Sequence, residues 1–207
     1  MKIINQSSKI LNISTRDPLK TIEKAARNCY QSKSGDAEKF IKSLIRKKHM
    51  TPFEMVDIQV ELITDLGVMA EITRHRHASF NIESTRYVNY KNGIEVVIPV
   101  GLKPEKVKDL YCKEYQDQYQ KFMAWKRAMM NSEKSYQEMI TAGCVPQIAR
   151  AVLPKGLKTK IIMKTNIRDW LNIFDLRTSK SAHPQIQDLM TNLRSLFQEK
   201  IPVIFDV

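Results

Sequence analysis

Cysteine is scarce and poorly spaced for a staple or a metal: Cys29, Cys112 and Cys144 are an odd number, far apart, with no C-x-x-C pair. That spacing argues against a disulfide framework and against a zinc or redox dithiol motif, and the three are expected to be reduced thiols in the core or near the site, Cys29 packed rather than reactive. Long apolar runs are missing as well. None approaches the ~20 residues that a membrane span needs. At the start, Met1-Lys2-Ile3-Ile4 runs into polar Asn5, Gln6, Ser7 and Ser8 rather than the apolar stretch of a signal peptide. A cytoplasmic protein with no membrane partner is expected. Internal repeats, low-complexity tracts and flexible linkers are also absent, so the 207 residues, 43% of them hydrophobic, are expected to close one core as a single domain over residues 1–207.

What the chain has in excess is positive charge. Lys and Arg number 34 against 22 Asp and Glu, a formal charge of +12 that favours anionic partners. DNA, RNA, acidic membranes and phosphorylated small molecules all meet that description. No Lys/Arg block reads as a nucleic-acid arm, and no aromatic-rich binding motif accompanies the charge. A phosphorylated metabolite stays open.

Along the chain, Ile3, Ile4, Leu11 and Ile13 suggest a strand, and Asp17-Pro18 caps a helix carrying Ile22, Ala25, Ala26 and Cys29. After a loop at residues 32–36, Asp36 opens a second helix with Phe40, Leu44 and Ile45 on its apolar side and Arg46, Lys47 and Lys48 at its end. Val56, Ile58, Val60 and Leu62 alternate with Asp57, Gln59 and Glu61, the period of a half-buried strand. Thr64 is expected to cap a helix through Leu66, Val68, Met69 and Ile72. A short strand over residues 95–99 precedes a long helix from Pro104 toward Asn131, with a core stripe of Val107, Leu110, Tyr111, Tyr115, Tyr119, Phe122 and Met123. A separate helix over residues 135–142 ends at Gly143, a strand follows at residues 157–165, and helices are expected at residues 167–176 and 184–198. The expected class is α+β, one domain with a small mixed or antiparallel sheet flanked by helices.

Chemistry concentrates in residues 74–87, where three arginines, two histidines, two serines and an asparagine fall within fourteen positions. Arginine forks match phosphate oxygens, and Ser79, Asn81 and Ser84 can complete an anion's shell. On charge alone a solvated basic face is the competing reading. A metal site is disfavoured, because His75 and His77 are two apart, no cysteine is near, and the arginines repel a cation. Serine nucleophile chemistry lacks a G-x-S-x-G elbow.

Arg74-His75-Arg76, seven residues, then Ser84 resembles the R-H-R-x7-S signature of flavin-dependent thymidylate synthases, and the agreement continues at Ser79, Asn81, Arg86 and Tyr87. His49-Met50-Thr51-Pro52-Phe53-Glu54 is similar to the family's H-x-T-P-F-E segment, residues 149–154 to A-R-x-x-L-P, and Asn166, Arg168, Asn172, Leu176 and Arg177 to N-x-R-x-x-x-N-(x3)-L-R. The four blocks stand in the right order over roughly residues 49–187.

The resemblance implies FAD as cofactor, NADPH and methylenetetrahydrofolate as co-substrates, and dUMP as the nucleotide methylated. It implies a homotetramer with sites at subunit interfaces, a small-molecule substrate rather than nucleic acid, and no metal. It assigns FAD to His49, Thr51, Arg74, His75, Arg76, His77, Asn81, Asn166, Arg168 and Asn172, with His77 contacting through its backbone. It assigns the nucleotide to Glu71, Ser84, Thr85, Arg86, Arg150 and Arg177. Arg177 is the first catalytic candidate, stabilising charge on the pyrimidine, and Ser84 the second. His183, before Pro184, reads as a helix-start residue rather than a ligand contact. Two positions depart from the pattern: Ile82 stands where many members have glutamate, with Glu83 one place along, and Glu71 where many have glutamine. They leave room for another pyrimidine nucleotide such as dCMP, or for a hydroxymethyl product. A non-catalytic, nucleic-acid-binding relative is the reading from a different class.

Overall fold

The computed structural model describes residues 1–31, 35–102 and 113–206. In chain order the elements are β1 (Lys2–Ile4), β2 (Ser7–Ile13), α1 (Pro18–Tyr30), α2 (Ala37–Arg46), a 3-10 turn (Thr51–Met55), β3 (Asp57–Asp65), α3 (Leu66–Ile72), β4 (Ser79–Ile82), β5 (Glu95–Val97), α4 (Lys113–Thr141), α5 (Pro146–Ala149), a second 3-10 turn (Arg150–Val152), β6 (Lys158–Asn166), α6 (Ile167–Arg177), α7 (Pro184–Lys200) and α8 (Pro202–Phe205). The class is α+β, as expected. The residues gather into two compact units. The first holds Met1–Gln6, Ile63–Glu71 and Ile82–Lys160, and the second holds Ser7–Leu62, Ile72–Asn81 and Ile161–Val207.

In the second unit the first two helices start from carboxylate caps. Asp17 accepts from the Lys20 N–H at 3.0 Å to start α1, and Asp36 accepts from Lys39 N–H at 3.1 Å to start α2. A four-stranded sheet, in the order β2-β3-β6-β4, has most of its length here. β3 alternates as its sequence requires, burying Ile58, Val60 and Leu62. Behind it, Trp170 and Phe174 of α6, Phe197 of α7 and Phe205 of α8 form a ring cluster with centroids 5.0–5.9 Å apart, and Trp170 Nε1–H donates to Ile58 O at 3.1 Å. Cys29, expected to be packed, is exposed: the buried stripe of α1 is Ile22, Glu23 and Ala26, and Cys29, in the last turn, falls off it.

In the first unit β1 pairs in parallel with β5, Lys2 opposite Glu95, and Val96 bridges Leu157 in antiparallel sense. Tyr90, Ile94, Val96, Tyr136, Ala149 and Leu157 form its core, against which Cys144 packs. Gly156 lets two segments approach closely: a Cβ there would lie 3.3 Å from Met129 Sδ.

Three expectations change. Asp65, not Thr64, starts α3, accepting from the Val68 N–H at 2.8 Å, while Thr64 is buried in β3 and donates to Gln6 Oε1 at 3.3 Å. The two expected helices around residues 131–135 are one, because α4 runs through to Thr141 before Gly143 (φ +87). The residues between the two expected helices are held from outside. Ser132 Oγ–H donates to Val152 O, and Glu133 accepts from the Ile94 N–H at 2.9 Å and pairs with the chain's amino terminus at 2.8 Å. Of the described side chains in the stripe expected as core, Tyr119 and Met123 are exposed and Phe122 is half-buried, and the packed face of α4 carries Trp125, Met129, Tyr136, Met139 and Ile140. Val107, Leu110, Tyr111, Cys112, the side chain of Tyr115, the expected helix start at Pro104 and most of the expected loop at residues 32–36 lie outside the described residues.

Candidate active site

The second unit carries a cavity of about 270 Å³, lined by Arg74, His75, Arg76, His77, Ala78, Thr165, Asp169, Asn172 and Ile173. One wall is the turn that follows Ile72, held at its start by the His75 N–H donating to Ile72 O at 3.1 Å and leading into β4. The opposite wall comes from β6 and α6. Thr165, at the end of β6, donates its hydroxyl to His77 O at 2.6 Å, tying the two walls together. Asn166 then caps α6, with Oδ1 accepting from the Asp169 N–H at 2.9 Å and Nδ2 donating to Asp169 Oδ2 at 2.8 Å. From there helical spacing puts Asp169, Asn172 and Ile173 on one face.

Arg177 follows four residues after Ile173, and its Nε–H donates to His75 Nε2 at 3.0 Å. Both side chains are half-buried. An accepting Nε2 carries no proton, so the imidazole is neutral with its proton on Nδ1. Burial pushes the His75 pKa below 6.5, the Arg177 charge pushes the same way, and Asp169 opposes them. Arg74, Arg76, His77 and Asn172 are exposed.

Five of the expected FAD residues, Arg74, His75, Arg76, His77 and Asn172, are therefore gathered on the cavity. His49, Thr51, Asn81 and Arg168 lie in the same unit but outside the cavity wall. His49 and Thr51 are exposed beside the first 3-10 turn, and Asn81 is exposed on β4. Arg168 pairs with Glu54 at 2.5 Å. His183 caps α7, its Nδ1 accepting from the Gln185 N–H at 3.2 Å. Ala78, Thr165, Asp169 and Ile173 were not foreseen as lining residues, although Asp169 and Ile173 stand at helical spacing from Asn172 and Arg177 and were open to detection on that ground.

The first unit holds the remaining candidates. Ser84 begins a turn in which its Oγ accepts from the Arg86 N–H at 3.3 Å and its carbonyl accepts from Val88 N–H at 3.0 Å. Arg150, from the second 3-10 turn, donates Nη1–H to Thr85 Oγ1 at 3.3 Å, and the Arg86 guanidinium lies 5.6 Å from the Tyr87 ring centroid. Two arginines and two hydroxyl residues thus meet on one exposed turn, a donor set suited to a phosphate. Glu71 is half-buried in the last turn of α3. Glu83 accepts from Lys158 Nζ at 2.8 Å, and Ile82 is half-buried at the end of β4.

A family model described as thymidylate synthase complementing protein matches residues 11–203. The flavin-dependent thymidylate synthase of Haloarcula marismortui is 30% identical over 229 residues, covering 93% of this chain and 91% of that one. The enzyme of that name from Thermosipho africanus is 30% identical over 190 residues, covering 88% and 82%. The chain belongs to the flavin-dependent thymidylate synthase family. The family is one of enzymes. Its fold is found again in the crystal structure of the UMP/dUMP methylase PolB from Streptomyces cacaoi bound with 5-Br dUMP, at a TM-score of 0.83 over 100% of this chain and 96% of that one, with 22% identity. Within the flavin-dependent thymidylate synthase signature, residues 74–81 build the cavity turn and β4 in the second unit, whereas residues 84–87 build the phosphate-suited turn in the first.

Proposed function

We propose that this protein methylates dUMP to dTMP with FAD as cofactor, methylenetetrahydrofolate as carbon donor and NADPH as reductant, as a cytoplasmic homotetramer with sites at subunit interfaces. The observation that carries the reading is the cavity whose walls are the family signature: Arg74, His75 and Arg76 on one side, Asn172 on the other, and Arg177 bonded to His75. Its chemistry fits the cofactor. Two guanidinia and an amide offer N–H donors to a pyrophosphate, while Ala78 and Ile173 offer apolar surface to a flat ring. At about 270 Å³ it falls just below the ~300–1,000 Å³ of a typical ligand pocket. It therefore takes part of FAD, and a neighbouring subunit supplies further wall.

In this reading Arg74, His75, Arg76, His77 and Asn172 contact FAD at the cavity, with His49, Thr51, Asn81 and Arg168 around it. Asn166, with both ends of its amide engaged with Asp169, serves by fixing the start of α6. When bound and reduced by NADPH, FAD would supply hydride to the base that has taken its one carbon from the folate. Arg177 sets its charge against the pyrimidine carbonyl and stabilises the negative charge that develops as the ring is activated, with no proton transferred. Arg86 and Arg150 hold the nucleotide phosphate, Ser84 and Thr85 complete its shell, and Ser84 attack on the base is the lesser role. Glu71, read with these as a nucleotide residue, brings a carboxylate of the same sign as the phosphate and weakens its binding.

A second reading, modification of another pyrimidine nucleotide such as dCMP or release of a hydroxymethyl product, is favoured by Ile82, which brings no carboxylate, and by Glu83, which is engaged with Lys158. Mass spectrometry after incubation with FAD, NADPH and methylenetetrahydrofolate, with dUMP and dCMP in parallel tubes, separates them. Methylated dUMP establishes the first reading, and a hydroxymethyl product or reaction with dCMP alone the second. A colourless protein with no product and salt-sensitive binding to DNA or RNA overturns both.

A further inference from the structure

We infer that His75 is a positioning residue for Arg177, a neutral imidazole whose Nε2 accepts the Arg177 Nε–H and so sets the plane in which the guanidinium meets the substrate. The inference rests on the reading of Arg177 as the catalytic arginine. Arginine sits on a flexible stem, but its five N–H groups share one rigid plane, so holding Nε–H orients the terminal nitrogens as well. His75 is suited to act as the anchor. Its own backbone is bonded to Ile72 O, at the end of α3, and its side chain faces the last turn of α6.

The surroundings keep this anchor an acceptor. Arg177 and Asp169 face His75 from α6, and Arg74, Arg76 and His77 flank it on its own turn. The single carboxylate among them is already bonded to Asn166. A proton on Nε2 would remove the acceptor and set a second cation 3.0 Å from Arg177, so acid conditions release the guanidinium from its anchor.

The test uses nitrogen-15 NMR of the imidazoles in the full protein, which has four histidines. It is combined with turnover per bound flavin for wild type, His75→Leu, His75→Gln and Arg177→Ala. The expected spectrum shows His75 neutral with its proton on Nδ1 at neutral pH, and Arg177→Ala alters the Nε2 resonance. His75→Leu is expected to lower turnover per bound flavin on the order of ten- to a hundredfold, the value of a hydrogen bond to a charged group. His75→Gln, whose side-chain oxygen reaches the Nε2 position and does not titrate, recovers most of that loss and lacks the acid limb of the wild-type pH profile. A His75 protonated at Nδ1 and Nε2, or carrying its proton on Nε2 alone, overturns the inference while Arg177→Ala still abolishes turnover. Equal losses in the Leu and Gln variants per bound flavin overturn it too. Unchanged turnover in Arg177→Ala removes the catalytic reading and the positioning role together, a result distinguishable from the others because the NMR hydrogen bond then survives without a function.

Discussion

Replacing Arg177 with alanine removes a half-buried cation from the last turn of α6 and leaves the walls of the cavity in place, because Arg177 is bonded to His75 rather than lining the cavity. A preorganised donor aimed at charge developing in the reaction is worth about 10²–10³ in turnover, or about 3–4 kcal/mol. A water-exposed arginine would be screened and worth far less, so the half-burial of Arg177 places the expected loss within that range. Flavin content should change little, since Arg74, Arg76 and Asn172 remain. The His75 pKa should rise part of the way toward 6.5 but not reach it, because burial is the larger cause of its depression and persists. The assay is product formation per bound flavin, with absorbance reporting the flavin. Turnover within a fewfold of wild type would refute the electrostatic role, and a loss of flavin matching the loss of turnover would show that Arg177 binds the cofactor rather than acting on the substrate.

Phe197→Ala empties the centre of a ring cluster in which Phe197 is fully buried and lies 5.0–5.1 Å from three other rings. It should cost about 3–5 kcal/mol and lower Tm on the order of 10 °C, whereas a shift below about 3 °C in a thermal melt would mean that the rings are not close-packed. Asn166→Ala removes the α6 cap and the donor on Asp169, at a cost of about 1 kcal/mol, and flavin affinity measured by titration should fall because the cavity wall starts there. The folded state favours neutral His75, so its contribution to stability is complete above the unfolded value near 6.5 and lost as pH falls through the lower folded pKa. Chemical denaturation of wild type against His75→Gln across that window should show the difference on the acid side only, and a constant difference would count against the depressed pKa. Lys158→Met leaves the Glu83 carboxylate, 20% exposed, without its 2.8 Å partner. A loss of about 1–2 kcal/mol is expected after allowing for solvent screening, and Glu83→Gln in the same background should restore most of it.

The elements legible in the sequence are those whose cause is local. Asp17 and Asp36 announce α1 and α2, and strict alternation from Val56 to Leu62 announces β3. Spacing also places β6, α6 and α7 to within a residue or two at most ends. What escaped depends on partners far along the chain. β4 is only Ser79–Ile82, too short and polar to read as a strand, and it exists because β6 lies beside it in the sheet. The sequence suggests one helix ending toward Asn131 and another from Ser135, yet α4 continues because Val152, Ile94 and the amino terminus hold Ser132 and Glu133 between them. The site divides in the same way. Arg74, His75, Arg76 and Asn172 are visible as a pattern, whereas Thr165 reaches the cavity only because β6 ends beside the His77 carbonyl. The His75–Arg177 bond spans 102 positions in sequence, and no local signal reports it.

The strand that the sequence concealed also bears on the substrate. In β4 Ser79 and Asn81 are exposed, and Phe80 and Ile82 alternate with them on the less accessible face. Ile82 therefore occupies an inward row shared with an aromatic ring, a place that suits its β-branched side chain and that a carboxylate would take only with a partner. Glu83 comes one position later, beyond the end of β4. A shift of one residue along an extended chain reverses the direction of a side chain, and the carboxylate of Glu83 is held by Lys158, itself 3.9 Å from Glu95. Glu83 is thus no replacement for a glutamate at position 82. Whatever contact that glutamate makes in relatives must come here from another group or be absent, which makes β4 the place to test the choice between dUMP and another pyrimidine nucleotide. Ile82→Glu is the substitution that addresses it directly. If the missing carboxylate sets the base, the variant should change the ratio of dUMP to dCMP turnover without changing flavin content, and an unchanged ratio would move the determinant elsewhere.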